Sequence, residues 1–193
     1  RDLTLELSIF MYEARPILPS SGANLKTSTW RRVSDTTIPA RAKVTGAYVN
    51  SALAKQDALD SDYDDSLILN QHGFVSELST ANVFLIKNGV LLTPNPAADI
   101  LEGITRCSII ELAQELEIPC VERAIAPTEL YTADEAFACG TSTGITPILS
   151  LDKRTIGSGN CGNITKQLQT ALQERQQSEN QWVTSLPIKT NPA

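Results

Sequence analysis

Histidine is almost absent from this chain. The single one, His72 among 193 residues, sits in Asn70-Gln71-His72-Gly73, a predicted solvent-exposed turn. A Ser-His-Asp mechanism would have to use that turn residue, so triad hydrolysis is set aside. Paired cysteines are also missing. Cys107, Cys120, Cys139 and Cys161 are widely spaced with no C-x-x-C, which supports neither a zinc site nor a disulfide framework and points to reduced thiols in the cytoplasm. There is no surplus of positive charge, since 16 Lys and Arg stand against 22 Asp and Glu, for a net charge of −6 and a pI near 4.8. Binding to nucleic acid or to an anionic membrane needs clustered cations, so neither is expected. No apolar run is long enough to span a bilayer, and Arg1-Asp2-Leu3-Thr4 has neither the basic segment nor the apolar stretch of a secretory signal. Without an initiator Met, the chain is expected to start partway through a longer product. These absences leave a small molecule as the expected partner.

With 41% hydrophobic and 20% charged residues, the sequence has enough apolar mass for a real core. Loose alternation predicts a strand over 3–11, and Pro16, Pro19, Ser20, Ser21 and Gly22 mark 15–24 as a linker. Helical spacing of Tyr48, Leu53, Ala54, Ala58 and Leu59 predicts a helix over 47–60. Strands are expected over 66–70, 74–77, 82–87 and 90–93, with Asn88-Gly89 closing a tight hairpin between the last two. A stripe of Ile109, Ile110, Leu112, Ala113 and Leu116 predicts a helix over 104–117, opened by Gly103 and ended before Pro119. Further strands over 120–125, 135–139 and 145–152, a helical turn over 127–131 and a closing helix over 164–177 complete a mixed α/β domain. The polar tail 178–193, with isolated apolar anchors such as Trp182, is expected to wrap the surface.

Four short segments carry the chemistry. A lone lysine is ordinarily a solvated surface charge, but Lys43 ends the apolar approach Ile38-Pro39-Ala40-Arg41-Ala42. That approach is expected to be extended and to turn the lysine inward, where desolvation favours a neutral, nucleophilic amine. Alternation through Phe74-Val75-Ser76 places Glu77 on the face of Val75, where a carboxylate needs a partner. Gly103-Ile104-Thr105 opens a helix whose first amides lack intrahelical acceptors, which makes it either an ordinary cap or an anion site. Gly140-Thr141-Ser142-Thr143-Gly144 follows a strand and offers amides and hydroxyls in a tight turn. Together they supply an amine that can form an imine, a carboxylate and two phosphate cradles, the parts of a pyridoxal-phosphate site. Trp30-Arg31-Arg32 reads more simply as a surface cation–π contact.

In this order the residues resemble the branched-chain amino-acid aminotransferases of the fold-type IV pyridoxal-phosphate class. The likeness runs from about Thr29 through Gln173. It rests on Trp30-Arg31-Arg32, the stretch 38–48, Gly73-Phe74-Val75-Ser76-Glu77, Asn82-Val83-Phe84, Thr93-Pro94, Leu101-Glu102-Gly103-Ile104-Thr105-Arg106, Glu129-Leu130-Tyr131, Ala133-Asp134-Glu135, Gly140-Thr141 and Thr146-Pro147. The resemblance implies a large α/β domain built as a pseudo-barrel of strands with flanking helices. It further implies transamination of branched-chain L-amino acids with 2-oxoglutarate, and a homodimer. The chain would divide into 1–24, the end of a smaller N-terminal domain with its linker; 25–178, the cofactor-binding domain; and 179–193, a tail.

By the same resemblance, Lys43 would hold the cofactor and shuttle a proton between the substrate α-carbon and the cofactor. Glu77 would pair with the pyridine nitrogen and Tyr48 with the phenolic oxygen. Ile104, Thr105 and Thr141 would hold the phosphate, Ser142 and Thr143 would meet the substrate carboxylate, and Arg106 would support the turn. No metal is implied. Leu78, Ala81 and Gly144 depart from the family pattern, in which a small residue, a glutamate and a glutamate are usual. Rival readings are a D-amino-acid aminotransferase or aminodeoxychorismate lyase, whose relatives usually lack Tyr at position 48, and a truncated cofactor-binding domain without turnover.

Overall fold

A computed structural model describes residues 4, 6–11, 13 and 17–177. Its layering follows from alternation along β4 (Asn82–Lys87), where Val83 and Leu85 enter one apolar cluster and Phe84 and Ile86 another. The first cluster fills the concave side of a nine-stranded sheet, with Leu25, Leu67, Leu69, Val75, Leu78 and Ile148 beside it. The second lies under two helices, α2 (Ile104–Glu115) and α4 (Asn163–Gln177), which set Ile109, Leu112, Leu168 and Leu172 against Phe84 and Phe137. Those two rings stack at 5.0 Å.

The remaining strands are β1 (Ala23–Arg31), β2 (Asp65–Leu69), β3 (Val75–Leu78), β5 (Val90–Pro94), β6 (Cys120–Arg123), β7 (Glu135–Gly140), β8 (Gly144–Leu151) and β9 (Arg154–Thr155). They run β3-β2-β1-β8-β7-β4-β5-β6, with β9 paired to β8. The β1–β2 and β1–β8 pairs are parallel, and helix α1 (Tyr48–Leu59) makes the crossover from β1 to β2. Its buried Ala54 and Ala58 let it lie close to the sheet. The sheet curls until its far edges meet, where the Val75 amide donates to Ile125 O, just past β6, at 2.8 Å. This is the mixed α/β half-barrel that the resemblance implied.

The predicted helices and the strands from β2 to β8 form within a residue or two of expectation, as does the helical turn α3 (Pro127–Tyr131). The hairpin turn has φ of 50° at Asn88 and 76° at Gly89, as a tight Asn-Gly turn requires. Three expectations fail. Residues 4 and 6–11 take no regular structure, and Leu7, Ile9 and Met11 are exposed, so the strand expected over 3–11 is not formed there. The presumed linker ends earlier than 24, because Ala23 already belongs to β1, a nine-residue strand near the middle of the sheet. The approach to Lys43 is not extended beyond Pro39, since Ala40–Ala42 form a 3-10 turn. The predicted tail 178–193, Trp182 included, lies outside the described residues.

Candidate active site

One cleft of about 270 Å³ opens where β3, β4, the end of β7, the start of α2 and the segment before α1 converge. Its lining includes Lys43, Tyr48, Glu77, Ile104, Thr105 and Thr141, six of the residues singled out from sequence.

Lys43 follows the 3-10 turn Ala40–Ala42 and takes a left-handed conformation (φ 49°, ψ 40°), its amide donating to Ala40 O at 3.3 Å. A second turn, Thr45–Ala47, leads straight into α1, whose first residue is Tyr48. The two turns bring both side chains to the same cleft although five positions separate them. Lys43 is exposed, which corrects the expectation of a desolvated inward lysine: the left-handed turn after Ala42 sets it at the mouth of the cleft rather than beneath it. Beside it, Arg41 Nε pairs with Glu102 Oε1 at 2.8 Å and ties this segment to the residue before Gly103.

Glu77 lies at the opposite end, 6% exposed. Between Leu67↔Leu78 and Leu69↔Val75 the partner strand advances two residues while β3 advances three. This bulge breaks the alternation expected from sequence: Val75 and Leu78 both enter the inner core, and Glu77 turns into the cleft. Its Oε1 pairs with Arg32 Nη2 at 2.7 Å, and its Oε2 accepts from Asn82 Nδ2 at 3.0 Å and from the Leu101 amide at 3.1 Å. Burial pushes the carboxyl up to about 7, against the opposing pull of Arg32, the Leu101 amide and Arg106.

Arg32 is the site residue that sequence reasoning misread. It is 7% exposed, and besides Glu77 it donates to Asp99 O at 3.2 Å and Ser51 Oγ at 3.3 Å. The cation–π contact expected at Trp30-Arg31-Arg32 is not there; among the described residues that contact is Arg154 over Tyr131, at 4.5 Å. Asn82 and the Leu101 amide were also given no role. The usable signal was an Asn at the head of the otherwise apolar run Val83-Phe84-Leu85-Ile86, where a buried amide demands partners.

The first hydrogen bond within α2 runs from the Cys107 amide to Gly103 O at 3.0 Å, which leaves the amides of Ile104 and Thr105 without helical acceptors at the cleft. Arg106 does not line the cleft. It is fully buried and donates to Pro94 O at 2.8 Å while pairing with Glu122 at 2.6 Å, so it pins the start of α2 to the end of β5. On the other side, β7 ends at Gly140, paired with Gly144, and Thr141 faces the cleft. Ser142 and Thr143 lie in the turn just beyond and are not part of the lining. Cys139 is at the cleft floor, where burial raises its thiol far above the ordinary range.

The arrangement can therefore hold an anion at one end and a protonated nitrogen at the other, with an amine between them and solvent. Among the described residues no group of His, Cys, Asp and Glu could hold a metal, and no helix is long and apolar enough to cross a membrane.

A family model described as amino-transferase class IV matches residues 3–151. A probable branched-chain-amino-acid aminotransferase of Aquifex aeolicus is 49% identical over 189 residues, covering 95% of this chain and 61% of the relative. The crystal structure of the Escherichia coli branched-chain amino acid aminotransferase superposes with a TM-score of 0.82 at 38% identity, over 86% of this chain and 56% of that one. The branched-chain amino acid aminotransferase of Thermobaculum terrenum, in its PLP-bound holo form, gives 0.80 at 39% identity, over 84% and 53%. The chain thus spans a little over half the length of these relatives.

Proposed function

Because the chain belongs to the class IV amino-transferases, we propose that it is the pyridoxal-phosphate-binding part of an aminotransferase that acts on branched-chain L-amino acids with 2-oxoglutarate as acceptor. In this reading the sheet and helices from Ala23 onward form the cofactor-binding unit of a cytoplasmic homodimer. The four thiols, none in a disulfide, support that compartment. The names of the relatives and the holo form of the Thermobaculum terrenum structure support the substrate class and the cofactor.

The observation that carries the proposal is that Lys43, Glu77, the start of α2 and Thr141 share one cleft. Its donor set fits a flat heteroaromatic phosphate, with unpaired helix amides at one end and a buried carboxylate at the other. Its volume of about 270 Å³ lies just under the range of roughly 300–1,000 Å³ typical of drug-sized ligands. Bound pyridoxal phosphate would supply an electron sink for the bond broken at the substrate α-carbon.

The residues then divide the work. Lys43 Nζ would hold the cofactor and, once released by the incoming amine, would carry the proton between the substrate α-carbon and the cofactor. Glu77 would bond the ring nitrogen, and Arg32 with the Asn82 and Leu101 donors holds that carboxylate in place. Tyr48 would donate to the phenolic oxygen. The Ile104 and Thr105 amides and Thr141 would hold the phosphate, while Ser142 and Thr143, in the turn just beyond the lining, would meet the substrate carboxylate.

Borohydride reduction of the chain incubated with pyridoxal phosphate, followed by peptide mass mapping, tests this reading. The adduct is expected on the peptide containing Lys43 and should be lost in Lys43→Ala. An adduct that persists elsewhere after that change overturns the assignment. Turnover of L-leucine against D-alanine and aminodeoxychorismate by the full-length protein decides the substrate class.

A further inference from the structure

Asn82 links the two ends of the cleft. Its backbone is fixed in the sheet opposite Cys139, and its side chain is buried. Both hydrogens of its amide are used, one donated to Glu77 Oε2 at 3.0 Å and one to Leu101 O at 2.8 Å. Two acceptors facing one terminal atom leave no choice as to which end of the amide carries nitrogen. The Leu101 amide returns a hydrogen bond to the same carboxylate oxygen at 3.1 Å, and Leu101 O also accepts from the Gly103 amide at 2.9 Å. Carboxylate, carboxamide and the turn that opens α2 therefore form one closed hydrogen-bonded ring.

The other end of the carboxamide is packed as tightly. A Cβ placed on Gly103 would overlap Asn82 Oδ1 and lie 3.6 Å from Asn82 Cγ. Gly103 itself has φ −67° and ψ 139°, which any L-residue adopts without strain. The requirement for glycine at 103 is therefore imposed by Asn82 and not by the backbone.

Resting on the cofactor reading above, we propose that Asn82 is a positioning residue that sets the spacing between Glu77 and the anion-holding start of α2, so that ring nitrogen and phosphate are recognised as one unit. Without the carboxamide the two ends would be joined only through the Leu101 amide: Glu77 is on a bulge and Gly103 on a turn, and Asn82 adds the second tie that makes them a single rigid gauge.

The test measures binding of pyridoxal 5′-phosphate, pyridoxal and inorganic phosphate to the wild-type chain and to Asn82→Ala, Asn82→Asp, Gly103→Ala and the double variant Gly103→Ala/Asn82→Ala. Absorbance and fluorescence titrations read affinity, and melting curves without ligand read stability. In Asn82→Ala, pyridoxal 5′-phosphate should lose at least about tenfold more affinity than the two fragments lose together. Gly103→Ala should weaken pyridoxal 5′-phosphate by about tenfold or more in the wild-type background and by under about twofold where Asn82 is already Ala. Its melting penalty should be relieved in the same way. Asn82→Asp keeps the shape but sets a second carboxylate against Glu77, so its affinity should recover as pH is lowered from 8.5 to 6, which a purely structural role would not produce. Equal effects of Gly103→Ala in both backgrounds, in binding and in melting, overturn the proposal. Failure of the wild-type chain to bind pyridoxal 5′-phosphate at all sinks the cofactor reading instead, and this inference with it.

Discussion

Glu77→Gln is the sharpest probe of the cleft's electrostatics. Burial raises the Glu77 carboxyl from its ordinary 4.5 to about 7 in the folded chain. Between those two values the folded protein holds a proton that the unfolded chain has released, so folding takes up a proton and stability falls as pH rises. The contribution is fully present below 4.5 and gone above about 7. At 1.36 kcal/mol per pH unit, the wild-type chain should lose about 3 kcal/mol across that window through this one group. Gln cannot titrate, and although it leaves the buried Arg32 without its counter-charge, the guanidinium stays charged throughout and adds only a constant offset. Asp65, also raised by burial, behaves alike in both proteins and cancels in the comparison. Urea unfolding of the cofactor-free chain at half-unit steps from pH 4.5 to 8 gives the two profiles. The difference between them should shrink by about 3 kcal/mol and then level off above about 7. Parallel profiles would refute the reasoning and mean that Arg32 and the two amide donors keep the carboxylate ionised despite its burial.

Arg106→Met should cost about 2–3 kcal/mol in urea melts, because Pro94 O loses its buried donor, and should weaken phosphate binding by loosening the start of α2; an unchanged phosphate affinity counts against that support role. Glu135→Gln should cost about 1–3 kcal/mol, since its carboxylate accepts from the Ile164 and Thr165 amides at 3.1 and 2.8 Å and from Thr165 Oγ1 at 2.7 Å, capping α4 from another strand. Hydrogen exchange should show the loss first at the N-terminal turn of α4. Tyr131→Phe should cost about 1 kcal/mol in melting by removing the donation to Asp152 Oδ2 at 2.8 Å, and should leave cofactor affinity unchanged because neither group lines the cleft.

The elements that were legible in the sequence are those with one strong signal. Asn88-Gly89 needs two positive φ values and has them, and the Ile109–Leu112 stripe buries where a helix of that period must. β1 was invisible for a physical reason. Its inner face adds only Ala23 and Leu25 to the apolar core, while the outer face is held by polar contacts to α1 and the turn after it, Lys26 Nζ reaching Asp57 at 3.0 Å and Ser61 at 2.9 Å, so hydrophobic alternation never develops. Within the cleft, the residues that would touch a ligand are ordinary types taken singly, and they are legible only from four short segments read together and from the family resemblance those segments carry. Arg32 is not, because an arginine beside a tryptophan looks like surface until the partner that buries it, 45 positions away in β3, is known. The Glu77 bulge was equally hidden, since register is set by the neighbouring strand and not by the four residues of β3.

The two halves of the cleft are built to opposite standards, and the chemistry asks for that. Both oxygens of Glu77 are committed, to a guanidinium and two amide donors, and Arg106 fixes the helix start beside them. In the proposed reaction, the group that would serve one ring nitrogen and the one that would serve one phosphate each have a single geometry to hold, and any looseness there is lost binding. Lys43 is exposed and makes no hydrogen bond or ion pair through Nζ among the described residues. Its role in the proposed reaction is to hold one carbon and then carry a proton at another, which a locked side chain could not do. A four-carbon stem with rotatable donors, rooted in a left-handed turn at the mouth, can move while the Glu77 carboxyl and the start of α2 stay still.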